Sequence, residues 1–374
     1  MIVKLAIRNL LHDRARFLVT LIGILFAVVL VAVQLGLYLG AREMIAGMIE
    51  HASGDLWISA YGAPSFEQAT LMKGRERYAA LSVPGVEAVT PLIVSFANWQ
   101  RSDSSSSNVV LIGAGRDEGG LQPWNIVEGA ASPSSVDGVT IDRTYARALN
   151  VASVGAAAEI EGKRVRVEAL SDGIRSFTTS PYVFTSIHKA RSLLSLPPDS
   201  ATFYLVKLAP GASVQNVKRE LAGRLHNNSV YTKKEFEQRN LDYWLLGTGA
   251  GVALIGGALL GLVIGTIIVA QTIYSSTKDH LTEFATLRAL GSSSSYIHKV
   301  LLTQATVSAV TGYALGVAVS LTIVAFSEKT ALPIIFTPAL AALLFAVTIA
   351  MCIVSAVSSI VKVTKIDPVM VFAR

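Results

Sequence analysis

Residues 17–41 read FLVTLIGILFAVVLVAVQLGLYLGA, twenty-five positions without one Asp, Glu, Lys or Arg. A helix rising ~1.5 Å per residue needs roughly 20 such residues to cross ~30 Å of hydrocarbon, and this run exceeds that length. Three more uncharged runs follow, Leu245–Thr277, Val300–Ser327 and Thr330–Val361. The reading is an integral membrane α-helical protein with four transmembrane helices, at 17–41, 244–277, 300–327 and 338–361. The fourth is expected to begin at Pro338, because Thr337 can cap the free amides and proline suits the first helical position. A basic start before an apolar run also describes a cleavable signal peptide. This run is about twice the usual apolar region, and no small-x-small site follows it, so an uncleaved anchor is expected.

Working outward, only 16% of the 374 residues are charged, against about 25% in ordinary soluble domains, which excludes a wholly soluble or a disordered chain. The net charge of +6 would raise the question of nucleic acid if it were spread over one face. It is not. Gly40 to Tyr243 holds 21 basic and 21 acidic residues, and the remaining chain holds 11 basic and 5 acidic, nearly all at the ends of the uncharged runs. That is the charge pattern of a membrane protein, and no nucleic-acid partner is expected. The single cysteine, Cys352, lies within a run, so neither a disulfide framework nor a cysteine metal site is available.

Lys4, Arg8, Arg14 and Arg16 flank the first span, Lys278, Arg288 and Lys299 lie between the second and third, and Lys362, Lys365 and Arg374 follow the fourth. By the positive-inside rule both termini and the 278–299 linker are cytoplasmic, and the 42–243 block faces the other side. Residues 1–16 place Lys4, Arg8 and His12 at four-residue spacing among Val3, Leu5, Ile7, Leu10 and Leu11, the pattern of an interfacial helix. Residues 362–374 form a cytoplasmic tail.

Within the spans, Gly257, Gly261 and Gly265 recur every four residues, as do Gly312 and Gly316. Small-residue faces let helix backbones approach closely, either within one chain or across a dimer seam. Gln34, Gln271 and Gln304 are polar, and each is expected to bond to a neighbouring helix. No span carries an ionisable group that could serve a proton relay or an ion-coupled pump. The transported or regulated species is therefore not expected to cross through the bundle.

The 42–243 block reads as a large mixed α/β domain inserted between the first and second spans. Ala41–His51 continues the first helix. Strands are expected at Asp55–Ser59, Ala88–Val89, Ile93–Val94, Asn108–Ile112, Lys163–Leu170 and Thr202–Leu208, and helices at Tyr78–Leu81, Thr144–Leu149 and Val214–Leu225. Val83-Pro84-Gly85-Val86 is a turn signal, and Ser102–Ser107 and Ala130–Gly138 read as loops. Two lobes joined by the 130–138 loop are expected. A search for catalytic chemistry is empty: His51, His188 and His226 lack metal-ligand spacing, no GxSxG or GxxxxGK[ST] occurs, and Gly113-Ala-Gly115 is an incomplete dinucleotide loop. No catalytic residue, cofactor or metal site is expected.

The linker is the informative stretch. Ser276 to Gly291 reads STKDHLTEFATLRALG. Ser276 or Thr277 can cap a helix, Asp279 and Glu283 favour its positive end, Arg288 sits in its last turn and Gly291 can stop it. Leu281, Phe284 and Leu287 supply apolar contacts, so this short helix is suited to docking a cytoplasmic partner or to lying flat on the membrane.

Glu283-Phe-Ala-Thr-Leu-Arg288-Ala-Leu-Gly291 resembles the REIGxLRALG motif of MacB/FtsX-type (type VII) ABC transporter permeases. Ile366-Asp367-Pro368-Val369 resembles that family's closing segment, and Val83-Pro84-Gly85-Val86-Glu87-Ala88-Val89 its ectodomain PGV motif. Leu5–Leu10, Gly23–Ala27, Gln34-Leu35-Gly36 and Gly54–Ile58 look most like the DevC branch. The resemblance implies that Leu281, Glu283, Phe284, Leu287, Arg288, Ala289 and Gly291 form the helix that docks on a cytoplasmic ABC ATPase dimer. Asp279 or His280 stands where the family usually has arginine.

It further implies a non-catalytic, homodimeric permease subunit in a bacterial inner membrane, transmitting motion from a separate ATPase to its outer domain. A periplasmic adaptor, or membrane fusion protein, and an outer-membrane channel would complete an exporter. Lipoprotein release or FtsX-like control of cell-wall hydrolases would use the same fold, and a membrane sensor or scaffold would be a different class.

Overall fold

The computed structural model describes residues 2–101, 105–115, 120–129, 137–279, 286 and 294–364. It divides into two compact units: Met1–Leu39 with Val252–Glu328 and Pro333–Arg374, and Gly40–Gly251 with Lys329–Leu332.

The first unit is helical. α1 (Ile2–His12) is followed by α2 (Arg14–His51), an unbroken helix of 38 residues, about 57 Å long at 1.5 Å per residue. Asp13 lies between them and caps α2, its carboxylate accepting from the Arg16 amide at 3.3 Å. Ala6 of α1 is fully buried while Val3, Ile7 and Leu11 are exposed. Among the described residues four helices are long and apolar enough to cross a membrane: α2, α8 (Ala250–Asp279), α9 (Ser294–Ser327) and α10 (Pro338–Thr364). The Leu340 amide donates to Thr337 Oγ1 at 3.1 Å, which caps α10 at its leading proline. One core joins Ile24, Ala27 and Val28 of α2 to Val269, Ala305, Ala309 and Met351, and a second joins Val31 and Ala32 to Ala258, Leu340 and Leu344. α1 packs on α9.

The second unit carries a ten-stranded mixed sheet. Its strands are β1 (Leu56–Ala60), β2 (Val86–Gln100), β3 (Ser106–Ala114), β4 (Ile126–Gly129), β5 (Gly138–Asp142), β6 (Ala157–Ile160), β7 (Lys163–Ser171), β8 (Tyr182–Ser186), β9 (Phe203–Leu208) and β10 (Asn228–Thr232). They run in the order β10-β1-β9-β2-β3-β8-β5-β7-β4, and β6 pairs with both β2 and β7. Those two pairings close β2-β3-β8-β5-β7-β6 into a ring, while β9, β1 and β10 extend from β2 as an open sheet.

Strand alternation sorts the side chains. Ile93, Ala97 and Trp99 of β2, with Val109 and Leu111 of β3, fill the ring with Val139, Ile141, Val165, Val167 and Val183. The intervening Leu92, Val94, Val110 and Ile112 face the opposite side, beside Trp57, Phe203 and Leu205. On the open sheet, Leu56, Ile58, Tyr204 and Val206 pack with Ala80 of α3 (Arg75–Leu81) and Leu221 of α6 (Val214–Arg224).

The ring and the open part share β2 in one continuous sheet, and residues 130–136 of the loop expected to join two lobes lie outside the described residues. The strands expected at 88–89 and 93–94 are one strand of 15 residues. It runs through Pro91, and its pairing with β3 begins only at Leu92, past the proline. The helix expected at 144–149 is a single turn, α4 (Arg143–Ala146), capped by Asp142. β4, β5, β6, β8 and β10 carried no sequence expectation, nor did α5 (Ile187–Leu193) or α7 (Lys233–Leu241). The Val83–Val86 turn forms with Gly85 at φ +90° and the Val86 amide donating to the Val83 carbonyl at 3.2 Å.

Candidate functional site

Each glycine of the two stripes lies against α2. A Cβ on Gly257 would come within 2.7 Å of Gln34 Nε2, on Gly261 within 2.9 Å of Leu30, and on Gly265 within 2.4 Å of Ala27. From α9, Gly312 would meet Ile24 at 2.6 Å and Gly316 would meet Val28 at 2.7 Å. Approaches under 3.0 Å cannot be met without moving a neighbour, so both stripes act as grooves into which α2 side chains are seated. α2 returns one such contact, since Gly23 opposes Ile268 at 2.5 Å.

Polar bonds between the helices come from other residues than the glutamines expected to make them. Among the described residues, the side chains of Gln34, Gln271 and Gln304 make no hydrogen bond across helices. Ser355 Oγ of α10 shares its proton between the Met351 carbonyl one turn back at 2.8 Å and the Thr266 carbonyl of α8 at 3.0 Å, and Tyr313 Oη of α9 donates to the Ala341 carbonyl of α10 at 2.9 Å. Ser355 is fully buried, and a serine among apolar residues gave no sequence signal that it would be the one to bridge. Where α2 begins, Arg16 pairs with Asp13 at 3.1 Å and with Asp279, the last residue of α8. The expected ATPase-docking residues Leu281, Glu283, Phe284, Leu287, Arg288, Ala289 and Gly291 lie outside the described residues, as does the 366–369 segment.

In the sheet unit the structure assembles a polar hub that sequence reasoning missed. The buried Glu67 carboxylate accepts from Tyr182 Oη at 2.6 Å and from Trp244 Nε1 at 3.1 Å. Trp244 belongs to a π-helical turn, Asp242–Gly247, that ends just ahead of α8. Phe177 lies edge-on to the Trp244 ring, and Tyr243 Oη donates to Gln68 at 3.0 Å. Burial, reinforced by the neighbouring Glu67 charge, holds the Tyr182 hydroxyl well above its ordinary pKa, so it stays a donor. π turns are rare and recur at functional sites, which marks this one as a candidate site. Glu67 and Trp244 stand 177 positions apart, so no local pattern could pair them.

Among the described residues no three His, Cys, Asp or Glu side chains converge on a metal-sized site.

Residues 17–224 match the model of the MacB-like periplasmic core domain, and residues 255–368 match that of the FtsX-like permease C-terminal domain. Together with four apolar helices and the mixed-sheet domain, they define an integral membrane permease subunit of the ABC transporter class. The chain belongs to the MacB/FtsX-type permease family.

Comparison with curated proteins gave no match. Similar solved structures include the periplasmic region of MacB from Actinobacillus actinomycetemcomitans, at 12% identity and TM-score 0.38, covering 51% of this chain and 94% of that one. Another is the extracellular domain of the noncanonic ABC-type transporter YknZ from Gram-positive bacteria, at 12% identity and TM-score 0.35, covering 47% and 99%.

Proposed function

We propose that this protein is the mechanical subunit of a DevC-like ABC exporter. A separate cytoplasmic ATPase dimer docks on the 278–291 segment, and two permease copies carry its motion through the membrane to outer domains that work with an adaptor and an outer-membrane channel. Both termini are cytoplasmic in this reading.

The observation that carries the reading is the seating of α8 and α9 on one unbroken helix. α2 contributes Ile24, Ala27 and Val28 to the helical core, and Met48 and Ile49 to the core of the sheet domain. A helix of this kind can carry displacement along its axis, because its backbone hydrogen bonds are all internal and its membrane part is seated in the glycine grooves of α8 and α9. The uncharged spans add support, since a subunit that moves its cargo outside the bundle needs no polar lining within it.

The test is copurification of the permease with its ATPase after charge reversal, Glu283→Lys or Arg288→Glu. Reduced ATPase recovery with membrane insertion intact is expected, and unchanged recovery would refute the docking assignment. Removal of residues 54–240 is expected to abolish adaptor binding and spare ATPase binding. Adaptor association that survives this removal would take the docking role away from the outer domain.

A further inference from the structure

Where α1 meets the bundle, the helices do not close completely. α1, α2, α8 and α9 line a part-open cavity of about 30 Å³. Asn9 lines it from α1, Thr20 from α2, Ser276 from α8, and Gln304 and Ser308 from α9. Gln304 is 8% exposed and Ser308 2%, one helical turn apart. Neither side chain has a hydrogen-bond partner among the described residues. That is unusual for this helix: Thr303 and Thr306 each return their hydroxyl to the carbonyl one turn back, at 2.7 and 2.8 Å. Thr20 does the same towards Arg16, at 2.9 Å. Gln304 and Ser308 instead line the cavity with their polar groups uncommitted.

We infer that this cavity is a binding site for ordered water, which supplies the hydrogen bonds that Gln304 and Ser308 lack and joins the four helices through them. Size selects the ligand. A water needs roughly 10–15 Å³ of such space, so about two fit, whereas a lipid headgroup does not. Charge points the same way. Asp13 and Arg16 are the charged residues among the described lining, and they pair with each other at 3.1 Å, which leaves no net charge to hold an ion. The remaining polar lining is neutral and offers both donors and acceptors, the complement of a molecule that can do both.

The consequence is mechanical and does not depend on the exporter reading. Contacts made through water can be re-formed after a small shift of one helix, whereas a direct side-chain bond between the helices would have to break. The foot of the bundle is thus a seam that can slip, while the glycine-seated contacts higher up cannot.

The experiment is radiolytic hydroxyl labelling of the full-length permease in lipid nanodiscs, read by mass spectrometry. Radiolysis splits bound water into hydroxyl radicals, which oxidise the side chains beside it. Phe17 lines the cavity, whereas Phe26 is 49% exposed on the same helix in the lipid-facing apolar stretch. Phe17 is expected to label strongly and Phe26 weakly. Gln304→Met with Ser308→Ala should lower Phe17 labelling several-fold, and Ser308→Ala alone should lower it part of the way if the double variant fails to insert. Phe17 labelling no higher than that of Phe26, or labelling unmoved by either variant, would overturn the assignment.

Discussion

Gly265 of α8 stands so close to Ala27 of α2 that a Cβ at 265 would lie 2.4 Å from that of Ala27, with Met351 Sδ at 3.0 Å on the other side. The bare backbone of Gly265 is thus packed directly against the Ala27 and Met351 side chains. Gly265→Val should therefore push two helices apart and cost about 1–3 kcal/mol, the usual range for overpacking. Gly256, on the same helix, has nothing within 4 Å of its Cβ position. Gly256→Ala should be neutral or stabilise by up to ~1 kcal/mol through helix propensity. Thermal unfolding in detergent compares the two, and equal effects would show that the stripe is not a packing groove.

Glu67 offers a second contrast, because both of its donors are uncharged. Glu67→Ala leaves Tyr182 Oη and Trp244 Nε1 without that acceptor; the orphaned Tyr182 hydroxyl, which is buried, should cost about 1–3 kcal/mol, and the part-buried Trp244 Nε1 less. Glu67→Gln keeps one carbonyl acceptor and should recover part of the loss. Denaturation followed by tryptophan emission reports both stability and the Trp244 environment. A red shift with Glu67→Ala at native temperature would show the π turn loosening before the domain unfolds.

Alkaline pH should weaken the sheet domain. Burial pushes the Tyr204 hydroxyl up to about 12 from an ordinary value of 10.0. The unfolded chain gives up this proton from pH 10 and the folded chain does not, so the contribution is complete below pH 10 and is lost as pH rises towards 12. A two-unit displacement corresponds to a loss on the order of 2–3 kcal/mol. Tyr204→Phe should flatten this part of the stability profile, while removing the hydrogen bond to the Lys73 carbonyl at 2.9 Å. Denaturant midpoints at half-unit steps from pH 9 to 12 give the comparison.

The Arg16 pair with Asp279 should matter little to stability. Its side chains are 34% and 53% exposed, and pairs of this kind contribute about 0.2–1 kcal/mol. Arg16→Ala is expected to move the melting temperature by no more than a few degrees. A collapse of the fold would mean that Arg16 holds more than this pair.

How far the residues alone could be read depends on the range of the interaction. Gly257, Gly261, Gly265, Gly312 and Gly316 announce close-packed faces by their spacing, since four residues return to the same side of a helix. Lys163 to Leu170 alternates visibly, and β7 forms there. The same reasoning picked Gln34, Gln271 and Gln304 as the bridges between helices, and the bonds went to Ser355 and Tyr313. Which polar group finds a partner depends on what stands opposite it, and that is not a local property. The 281–291 segment was read from its capping pattern and its resemblance, and those remain its support.

By itself the sequence determined four apolar spans, the charge asymmetry at their ends and the faces of the longer strands. All of these follow from hydration and from periods of 3.6 and 2 along the chain. Only the tertiary structure decided that β6 closes a ring with β2 and β7, that the glycine stripes face α2 of the same chain, and that Glu67 gathers Tyr182 and Trp244. Each of these joins residues far apart in the chain, so it depends on which surfaces meet when the chain folds and not on any local pattern.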